Sequence, residues 1–372
     1  MLAMGDSVLV LNTGSSSIKA ALLAVAATGT TEVLWRGQRP WSPADAHDLG
    51  AQVGEVLEPW LRHELEPWRG SVSLVAHRVV HGGAELRGAT RLDGPVRQAI
   101  AAAQSLAPLH NRAALAVVDW IEPWLAQWQP GLAQWACFDT AFHHTLAPAQ
   151  FTYAIPEAWR QQGLRRYGFH GLNHEHIAET VAAIRFEEGC SADELAQLRI
   201  ISAHLGAGCS LCAIKGGRSV ATSMGMTPLE GLVMATRSGS LDPGLLLHLL
   251  QHGVGAGELN QALNHRSGLL ALSGLSGDMT QLRRAAAAGH GGAQLAIEVF
   301  TARLLEGIGA MAAVLGGVDV IALSGGIGQN DEVLAHALHQ QLQWLGRFRL
   351  LQIPADEEGQ IARQCAAAAG LI

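Results

Sequence analysis

One pattern of apolar and small residues occurs twice in the 372-residue chain and constrains its fold more than any other feature. At 8–25, an apolar run, a segment of small residues and a second apolar run follow one another, and the same order recurs at 200–214. Each copy predicts a strand, a tight turn and a returning strand. Because the turns are rich in Gly and Ser, their backbone amides can approach a phosphate closely.

The two copies align when one is shifted by 192 residues. The shift pairs Asn12 with His204, Gly14 with Gly206, and Ser16 with Gly208. A match of three positions also arises by chance, so both interpretations stay open. If the repeat is genuine, the chain contains two related α/β domains, each opening with such a hairpin.

No low-complexity linker divides the chain. The segment 148–156, which a proline bounds at each end, is the best candidate for the crossing between domains, and the stretch after Pro354 is expected to return to the first domain. We therefore expect one domain at 1–147 plus 355–372 and a second at 148–354.

A third glycine-rich segment, 324–330, follows the apolar run 318–323 and precedes the amphipathic stretch 332–345. The order strand, glycine turn and helix is typical of nucleotide sites. The letters GGIGQN lack the last glycine of the dinucleotide fingerprint GxGxxG, and the chain contains no GxxxxGK followed by Ser or Thr. The spacing thus excludes the Rossmann and P-loop motifs and predicts that a nucleotide is held in another way.

Composition excludes several classes of protein. Apolar residues make up 49% of the chain and charged residues 15%, which is typical of a folded protein and not of a disordered one. The net charge of −7 comes from scattered acidic residues, so we expect no nucleic-acid partner. No apolar run reaches the ~20 residues of a membrane helix, and the first residues lack signal-peptide features. We expect a cytoplasmic protein without membrane contact.

The five cysteines include one close pair, Cys209 and Cys212. Their spacing resembles half of a zinc site, but the sequence offers no second half. The pair falls in a predicted strand, where residues three apart face opposite sides. We expect buried thiols and no zinc.

Four side chains are candidates for chemistry on a phosphoryl group, which needs cations, carboxylates and hydrogen-bond donors. Arg78 and Arg237 lie among small residues with few side chains to pair with, so we expect their guanidinium groups to be free for an anion, a loop-bracing role being the alternative. Asp139 ends the apolar run 132–138, a common catalytic or metal-binding position in α/β folds. His170 is either a hydrogen-bond donor in the transition state or a core histidine.

Helical periodicity predicts helices at 174–188 and 293–315, and Ser191 with Glu194 forms a predicted capping box.

Two further clusters invite functional interpretation. Trp120, Trp124 and Trp128 recur at every fourth position, which predicts a core face or a subunit contact more strongly than a ligand site. Glu357 and Glu358 have the local pattern of an exposed surface pair.

Nine segments of the chain resemble, in order, the signature segments of the acetate kinase (acetokinase) family. They are LVLNTGSSSIKAAL, HRVVHGG, APLHN, FDTAFH, RRYGFHGLNHEHI, HLGAGCSLCAIKGGRSVATSMGMTPLEGLVMATRSG, SGLLALSGLSGD, SGGIGQN and PADEEGQIAR. They extend from residue 9 to residue 363, which is nearly the whole chain. The resemblance implies an α/β fold of two duplicated actin-like ATPase (ribonuclease H-like) domains with a nucleotide cleft between them.

The resemblance also implies an activity and partners. The expected reaction is direct in-line phosphoryl transfer between ATP and acetate, which gives acetyl phosphate and ADP. Mg²⁺ is the expected cofactor, with Mn²⁺ as an alternative, and a homodimer is the expected assembly.

Individual residues acquire roles from the same resemblance. The catalytic set would be Arg78, Asp139, His170 and Arg237, and the set that organises Mg²⁺ would be Asn12, Asp139 and Glu357. The acid would be bound by Arg78 and the apolar residues Val80, Leu109, Phe169 and Pro228. The nucleotide would be bound by Asn12, Lys19, His204, Gly206, Ala207, Gly208, Gly325, Gly326, Ile327, Gly328 and Asn330. His110 matches another active-site histidine of the family.

Two departures from the family pattern affect these expectations. Ala207 replaces the common Asn of HLGNG and removes an amide beside the nucleotide phosphates, and Ser240 removes an acid near Arg237. A kinase for propionate or another short-chain acid is therefore one alternative, and a catalytically impaired nucleotide-binding sensor is another.

Overall fold

The computed structural model describes residues 6–14, 17–41 and 49–372, apart from the side chains of Ser105, Pro108 and Leu109. Contacts divide the chain into two units, one formed by Met1–His144 with Asp356–Ile372 and the other by Thr145–Ala355. Ser16, which the repeat pairs with Gly208, lies outside the described residues.

The first unit contains a six-stranded sheet. Its strands are β1 (Asp6–Thr13), β2 (Ser17–Val25), β3 (Thr31–Pro40), β4 (Val72–Val79), β5 (Thr90–Arg91) and β6 (Ala133–Phe138). The order is β3-β2-β1-β4-β6-β5, in which β1 is antiparallel to β2 and parallel to β4, and β4 is parallel to β6.

The helices of this part of the chain cover the sheet. They are α1 (Leu49–Pro59), α2 (Gly94–Ala102) and α3 (Pro108–Trp128), with single turns at Trp60–Glu64, Glu66–Trp68, Ala103–Ser105 and Ala141–Thr145. Trp128 is buried and stacks on Trp124 with ring centroids 4.7 Å apart, and Trp120 packs against the same core. The predicted core role of the tryptophan stripe is confirmed.

The second unit contains a five-stranded sheet. Its strands are β7 (Arg199–Leu205), β8 (Cys209–Lys215), β9 (Arg218–Thr222), β10 (Val320–Ser324) and β11 (Arg349–Gln352). The order is β11-β10-β7-β8-β9; the pairs β7–β8 and β8–β9 are antiparallel, and β10 is parallel to β7 and β11.

Most of the helices that the structure describes belong to the second unit. They are α4 (Pro148–Phe151), α5 (Glu157–Arg160), α6 (Gly171–Glu187), α7 (Ala192–Gln197), α8 (Pro243–Gln251), α9 (Ala256–His265), α10 (Gly268–Ser273), α11 (Met279–Ala287), α12 (Gly291–Leu315), α13 (Gly325–Gly328) and α14 (Glu332–Gln341), with one turn at Gln343–Leu345. The predicted capping box of Ser191 and Glu194 starts α7. Both long helices predicted by periodicity are present as α6 and α12, which begin two or three residues earlier than predicted.

The two sheets repeat one topology. In each, three antiparallel strands are followed by two strands parallel to the first, so β7, β8, β9, β10 and β11 correspond to β1, β2, β3, β4 and β6. Asn12 near the end of β1 therefore corresponds to His204 near the end of β7, as the repeat predicts. The duplicated α/β fold is confirmed.

After the second unit, the chain returns to the first as α15 (Glu357–Ala368), which packs on β1, β2, β4 and β6. Because α3 also packs on β1, this central strand is covered on both faces, which explains its uninterrupted apolar run. Among the described residues, no helix is both long and apolar enough to cross a membrane.

Candidate active site

Three polar side chains meet at the carboxyl ends of neighbouring strands in the first unit. Asn12 and Arg78 are register partners in the parallel pair β1–β4, and Asp139 follows β6 directly. Nε of Arg78 donates to Oδ1 of Asp139 at 2.9 Å, and Nη2 donates to Oδ2 at 2.6 Å. Nη1 donates to Oδ1 of Asn12 at 3.1 Å. The structure thus brings together three of the residues singled out from the sequence.

The first turn of α15 adds two carboxylates to this group. Nδ2 of Asn12 donates to Oε2 of Glu357 at 3.3 Å and to Oε1 of Glu358 at 2.9 Å. Asp356 caps the helix by accepting a hydrogen bond from the backbone N–H of Gly359, which fixes where the helix begins. The local interpretation of Glu357 and Glu358 as a surface pair is wrong, and Glu358 is a member of the group that sequence reasoning missed.

Burial and charge act in opposite directions on Arg78 and Asp139. Burial by itself lowers the pKa of Arg78, but the carboxylates of Asp139, Glu357 and Glu358 raise it above the ordinary value, so the guanidinium stays charged. Burial raises the pKa of Asp139 although the charge and hydrogen bonds of Arg78 oppose that effect. The expectation that Arg78 has few side chains to pair with is wrong, because a buried carboxylate holds it in a bidentate contact.

A second polar group surrounds the turn between β7 and β8 in the second unit. His170 precedes α6 with a left-handed backbone conformation, φ 56°, and its ring stacks on His204 with centroids 4.2 Å apart. A Cβ atom added to Gly208 would lie 3.2 Å from Nε2 of His170 and 3.5 Å from Nη1 of Arg237, so both side chains border this glycine. Nη1 of Arg237 also donates to the carbonyl of Pro228 at 3.1 Å. The guanidinium of Arg237 and the imidazole of His170 lie beside a glycine backbone that no side chain covers, and this arrangement suits an anionic ligand.

Two glycine segments lie side by side because β7 and β10 are neighbours, with His204 paired to Ser324. A Cβ atom on Gly206 would lie 3.9 Å from the backbone nitrogen of Gly326. Gly325 has a φ of 78°, and a Cβ there would come within 2.7 Å of a backbone carbonyl, so this turn requires glycine. The predicted glycine turn takes the form of a single helical turn, α13.

A cleft of about 700 Å³ opens beside these segments within the second unit. It is lined by Gly206, Ala207, Ala235, Gly277, Asp278, Met279, Thr280, Arg283, Gly326, Ile327, Asn330, Asp331, Glu332 and Val333. The predicted nucleotide residues Gly206, Ala207, Gly326, Ile327 and Asn330 therefore share one cavity, and the side-chain amide of Asn330 donates to the Gly326 carbonyl at 2.8 Å. Lys19 is exposed on β2 of the first unit.

Sequence reasoning missed the wall of this cleft that runs from Gly277 to Arg283. The segment SGLLALSGLSGD carries the signal, since Gly277 and Asp278 end it and Asp278 caps α11. Arg283 pairs with Asp331, another residue that lines the cleft, at 2.8 Å.

The turn at Ala207 is already internally bonded. The backbone N–H of Gly206 donates to the Gly208 carbonyl at 3.0 Å, and the carbonyl of Ala207 accepts from the backbone N–H of Ala235 at 3.1 Å. The amide of Gly206 is therefore used within the turn.

The remaining candidates are distributed over both units. Val80 follows β4 and is buried, Phe169 is buried beside His170, and Pro228 is half-buried. His110 is half-buried on α3, while the side chain of Leu109 lies outside the described part.

Cys209 and Cys212 are fully buried, which confirms the expectation of buried thiols. Burial raises the pKa of both thiols to about 12. The described residues contain no cluster of three or more His, Cys, Asp or Glu side chains suited to a metal ion.

The sequence of the chain is similar to known enzymes along nearly its whole length. The profile of the acetokinase family matches residues 7–366. The acetate kinase of Synechococcus sp. (strain JA-2-3B'a(2-13)) is 43% identical over 364 residues, which cover 91% of this chain and 88% of that protein. The acetate kinase of Deinococcus radiodurans is 42% identical over 374 residues, which cover 95% and 88%.

Solved structures show the same relationship. The acetate kinase of Porphyromonas gingivalis has a TM-score of 0.85 at 30% identity and covers 98% of this chain and 100% of its own. A propionate kinase from Francisella tularensis subsp. tularensis has a TM-score of 0.82 at 31% identity, with 96% and 98% covered. The expected actin-like ATPase fold is confirmed. With its profile, relatives and fold in agreement, the chain belongs to the acetokinase family.

Proposed function

We propose that this protein transfers the γ-phosphoryl group of ATP to acetate and, in the reverse direction, forms ATP from acetyl phosphate and ADP. In the forward reaction an acetate oxygen forms a bond to the γ-phosphorus while the bond to the β–γ bridging oxygen breaks, and ADP leaves. The observation that carries this proposal is that His170 and Arg237 both border Gly208, beside a cleft of nucleotide size. Phosphoryl transfer depends on such positioned donors and cations and needs no protein nucleophile.

In this proposal, the side chains around Gly208 and those around Arg78 have different roles. Arg237 and the Nε2 edge of His170 stabilise charge on the transferring phosphoryl group, as donors fixed in advance do in other enzymes. Arg78 binds the acetate carboxylate, and because its guanidinium is bonded to Asp139 and Asn12, the acid must share or replace one of those hydrogen bonds. The glycine segments 206–208 and 325–328 hold the nucleotide, with Asn330 beside them.

The donor set at the first group fits a hard divalent cation. Asn12, Asp139, Glu357 and Glu358 offer only oxygen ligands apart from the amide nitrogen, which is the ligand type that Mg²⁺ and Mn²⁺ take. Mg²⁺ is commonly held by one or two carboxylates together with substrate phosphates, so a cage of three or more protein ligands is not needed. We propose that Asp139 and Glu357 hold Mg²⁺, which neutralises charge on the phosphates when bound. Asn12 orients both glutamates by donating to them.

The identity of the acid substrate has a close alternative, propionate. The similarity to a propionate kinase structure at 31% identity favours propionate as a second candidate substrate. One methylene changes binding by only ~1 to 3 kcal/mol, so a small apolar site discriminates weakly between acetate and propionate. We assign acid binding to Val80, Leu109, Phe169 and Pro228.

A hydroxamate assay of the purified protein with ATP, Mg²⁺ and a panel of acetate, propionate and butyrate tests the function. We expect the highest kcat/KM with acetate, a lower value with propionate and the lowest with butyrate. Val80→Ala should move the preference towards the longer acids. A wild type that prefers butyrate would contradict the assignment of the acid-binding residues. Nucleotide binding without acyl phosphate formation from any acid would instead support the sensor alternative.

We further propose a homodimer in which a second copy of the chain covers α8. Leu245, Leu247 and Leu250 on this helix are 44%, 59% and 44% exposed, and none of its residues is buried. Several exposed leucines on a helix that has no buried residue are typical of a subunit contact. Leu247→Glu should produce a monomer in light scattering, whereas Val33→Glu, at an exposed site of the first unit, should not. A monomeric wild type would refute this assembly.

We propose the cytoplasm as the compartment, because ATP and ADP are supplied there and the five cysteines, all of them in the described part of the chain, form no disulfide bond.

A further inference from the structure

A row of hydrogen bonds leads from His170 into the core of the second unit. Nδ1 of His170 lies 2.8 Å from Oγ of Ser210, which lies 2.8 Å from Nε2 of His174. Nδ1 of His174 lies 2.8 Å from Oγ of Ser202. Ser202, His174 and Ser210 are fully buried. We call His170, Ser210, His174 and Ser202 the relay.

Regular secondary structure holds three members of the relay, and His170 directly precedes α6. Ser202 and Ser210 lie on the paired strands β7 and β8. His174 lies one helical turn after His170, and its backbone N–H donates to the His170 carbonyl at 3.0 Å. The left-handed conformation of His170 is unfavourable for a residue with a side chain, so the surrounding structure must hold it there. Its ring is therefore aimed at Ser210 by the fold.

The protons in the relay can be counted. The Ser210 hydroxyl has one hydrogen and contacts two ring nitrogens, so it donates to one of them and accepts from the other. With neutral rings, two arrangements satisfy all three hydrogen bonds. In the first, every hydrogen points from Ser202 towards His170, which places the proton of His170 on Nε2. In the second, every hydrogen points the other way, and Nε2 of His170 carries a lone pair.

Ser202 distinguishes the two arrangements. In the part of the chain that the structure describes, its Oγ has no hydrogen-bond partner other than His174, and the residue has no exposed surface. In the first arrangement the Ser202 hydrogen is donated to Nδ1 of His174. In the second it would be buried without an acceptor, which is unfavourable. The first arrangement is therefore the stable one.

We propose that Ser202, His174 and Ser210 are positioning residues that hold His170 in the tautomer protonated on Nε2. This nitrogen borders Gly208 and Arg237, where the proposed function places the transferring phosphoryl group. A neutral His170 then donates a hydrogen bond to that group, whereas the other tautomer would turn a lone pair towards anionic oxygens. The identity of the acceptor rests on the proposed function, but the arrangement of protons does not.

Ring ¹⁵N chemical shifts of histidine separate the two neutral tautomers from each other and from the charged ring. The full-length protein carrying ¹⁵N-labelled histidine is measured at neutral pH, and the signals of His170 are identified by their loss in His170→Gln. We expect the pattern of an Nε2-protonated neutral ring in the wild type and a mixture of tautomers in Ser202→Ala. A wild-type His170 that is protonated on Nδ1, or on both nitrogens, would overturn the proposal whether or not the variant folds.

Kinetics supply a second readout. Ser202→Ala should lower kcat about 10- to 100-fold, the size of effect that removing an orienting partner has in other sites, with less than about threefold change in either KM. Ser202→Thr keeps the hydroxyl and should recover most of the lost kcat. Equal losses of kcat in the two variants would contradict the relay. A wild type that has the expected tautomer but phosphorylates no short-chain acid would refute the proposed function and leave the relay standing.

Discussion

At the scale of single residues, the buried pair of Arg78 and Asp139 makes the first unit sensitive to the loss of either partner. Their side chains are 15% and 3% exposed, so a charge left without its partner is costly. Arg78→Gln should lower the free energy of unfolding by about 3 to 5 kcal/mol at pH 7. Adding Asp139→Asn should restore most of that loss, and urea denaturation of the four proteins in this cycle measures the coupling. Additive losses would show that the pair is not coupled.

The same variant has a distinctive pH dependence. Without Arg78, nothing as strong opposes the effect of burial, which raises the pKa of Asp139. A carboxyl group whose pKa is higher in the folded state contributes stability at low pH that is lost as the pH rises through the folded pKa. The free energy of unfolding that Arg78→Gln loses relative to the wild type should therefore become smaller as the pH is lowered from 7. Arg62→Gln, which removes an exposed pair with Glu58, is the control and should show no such change.

Arg237 tests the chemistry more directly. Arg237→Ala should lower kcat by roughly 10³-fold, because it removes a cation from a phosphoryl-transfer site. Arg303→Ala, which breaks an exposed pair with Glu306 on α12, is the matched control. If folded Arg237→Ala keeps more than about a tenth of the activity, the site is misassigned.

Individual site residues were predictable from the sequence only in part. Asn12 and Asp139 directly follow apolar runs and Arg78 lies two residues beyond one, and parallel strands bring such ends to one edge. The pairing of Arg78 with Asp139 was not predictable, because it depends on β4 pairing with β6 although a long stretch of sequence that includes α3 separates the two strands. The same applies to Glu358, which a helix far along the chain delivers to Asn12.

At the scale of elements, the turn between β7 and β8 limits nucleotide binding. The amide of Gly206 is used within the turn, so it does not replace the amide that Ala207 lacks. Ala207→Asn should tighten the KM for ATP roughly 10- to 100-fold, as expected for one hydrogen bond to a charged phosphate. Ala101→Asn, on an exposed face of α2, is the control, and an unchanged KM in Ala207→Asn would show that other donors suffice.

Strand β4 contains a histidine, His77, that should make the free energy of unfolding depend on pH. His77 is buried, its Nε2 lies 2.8 Å from Oε1 of Gln134, and burial lowers its pKa to about 4. The unfolded chain takes up a proton near pH 6.5 whereas the folded one does not, so stability is lost as the pH falls from about 6.5 towards 4. His77→Gln should remove up to about 3 kcal/mol of that loss. Identical slopes of unfolding free energy against pH in both proteins would contradict this.

Elements with a strong periodic pattern were the most predictable. Strands β1, β2, β7 and β8 and helices α6 and α12 follow directly from apolar spacing. The helical form of 325–328 was not predictable, since glycine disfavours helix. At Gly325 the backbone of Leu205, at the end of β7, leaves no room for a side chain.

At the scale of the whole molecule, the two units share a strand order although the sequence repeat is only three positions deep. Strand order depends on the pattern of apolar residues and on the handedness of the connections, and many sequences satisfy both. Two units can therefore keep the same topology when few of their residues are still identical. We propose that the units are domains. Residues 145–355 alone should therefore unfold cooperatively in a circular dichroism melt, because all their strands and helices lie within that stretch.

Residues 6–144 should not behave in this way without 356–372, because α15 covers part of their sheet. Adding the segment 356–372 as a peptide should restore a cooperative transition. A cooperative melt of 6–144 alone would contradict this dependence.

The return of α15 to the first sheet has a consequence for synthesis on the ribosome. The face of β1 that this helix covers emerges early, but its cover is translated only after the entire second unit. Residues 145–355 leave the exit tunnel after the first 144 residues, but they can finish folding first because they need no later segment. Until the final helix is made, the first 144 residues expose an apolar sheet face to solvent. Nascent chains of this protein should accordingly engage holding chaperones through their first 144 residues until translation reaches the final helix.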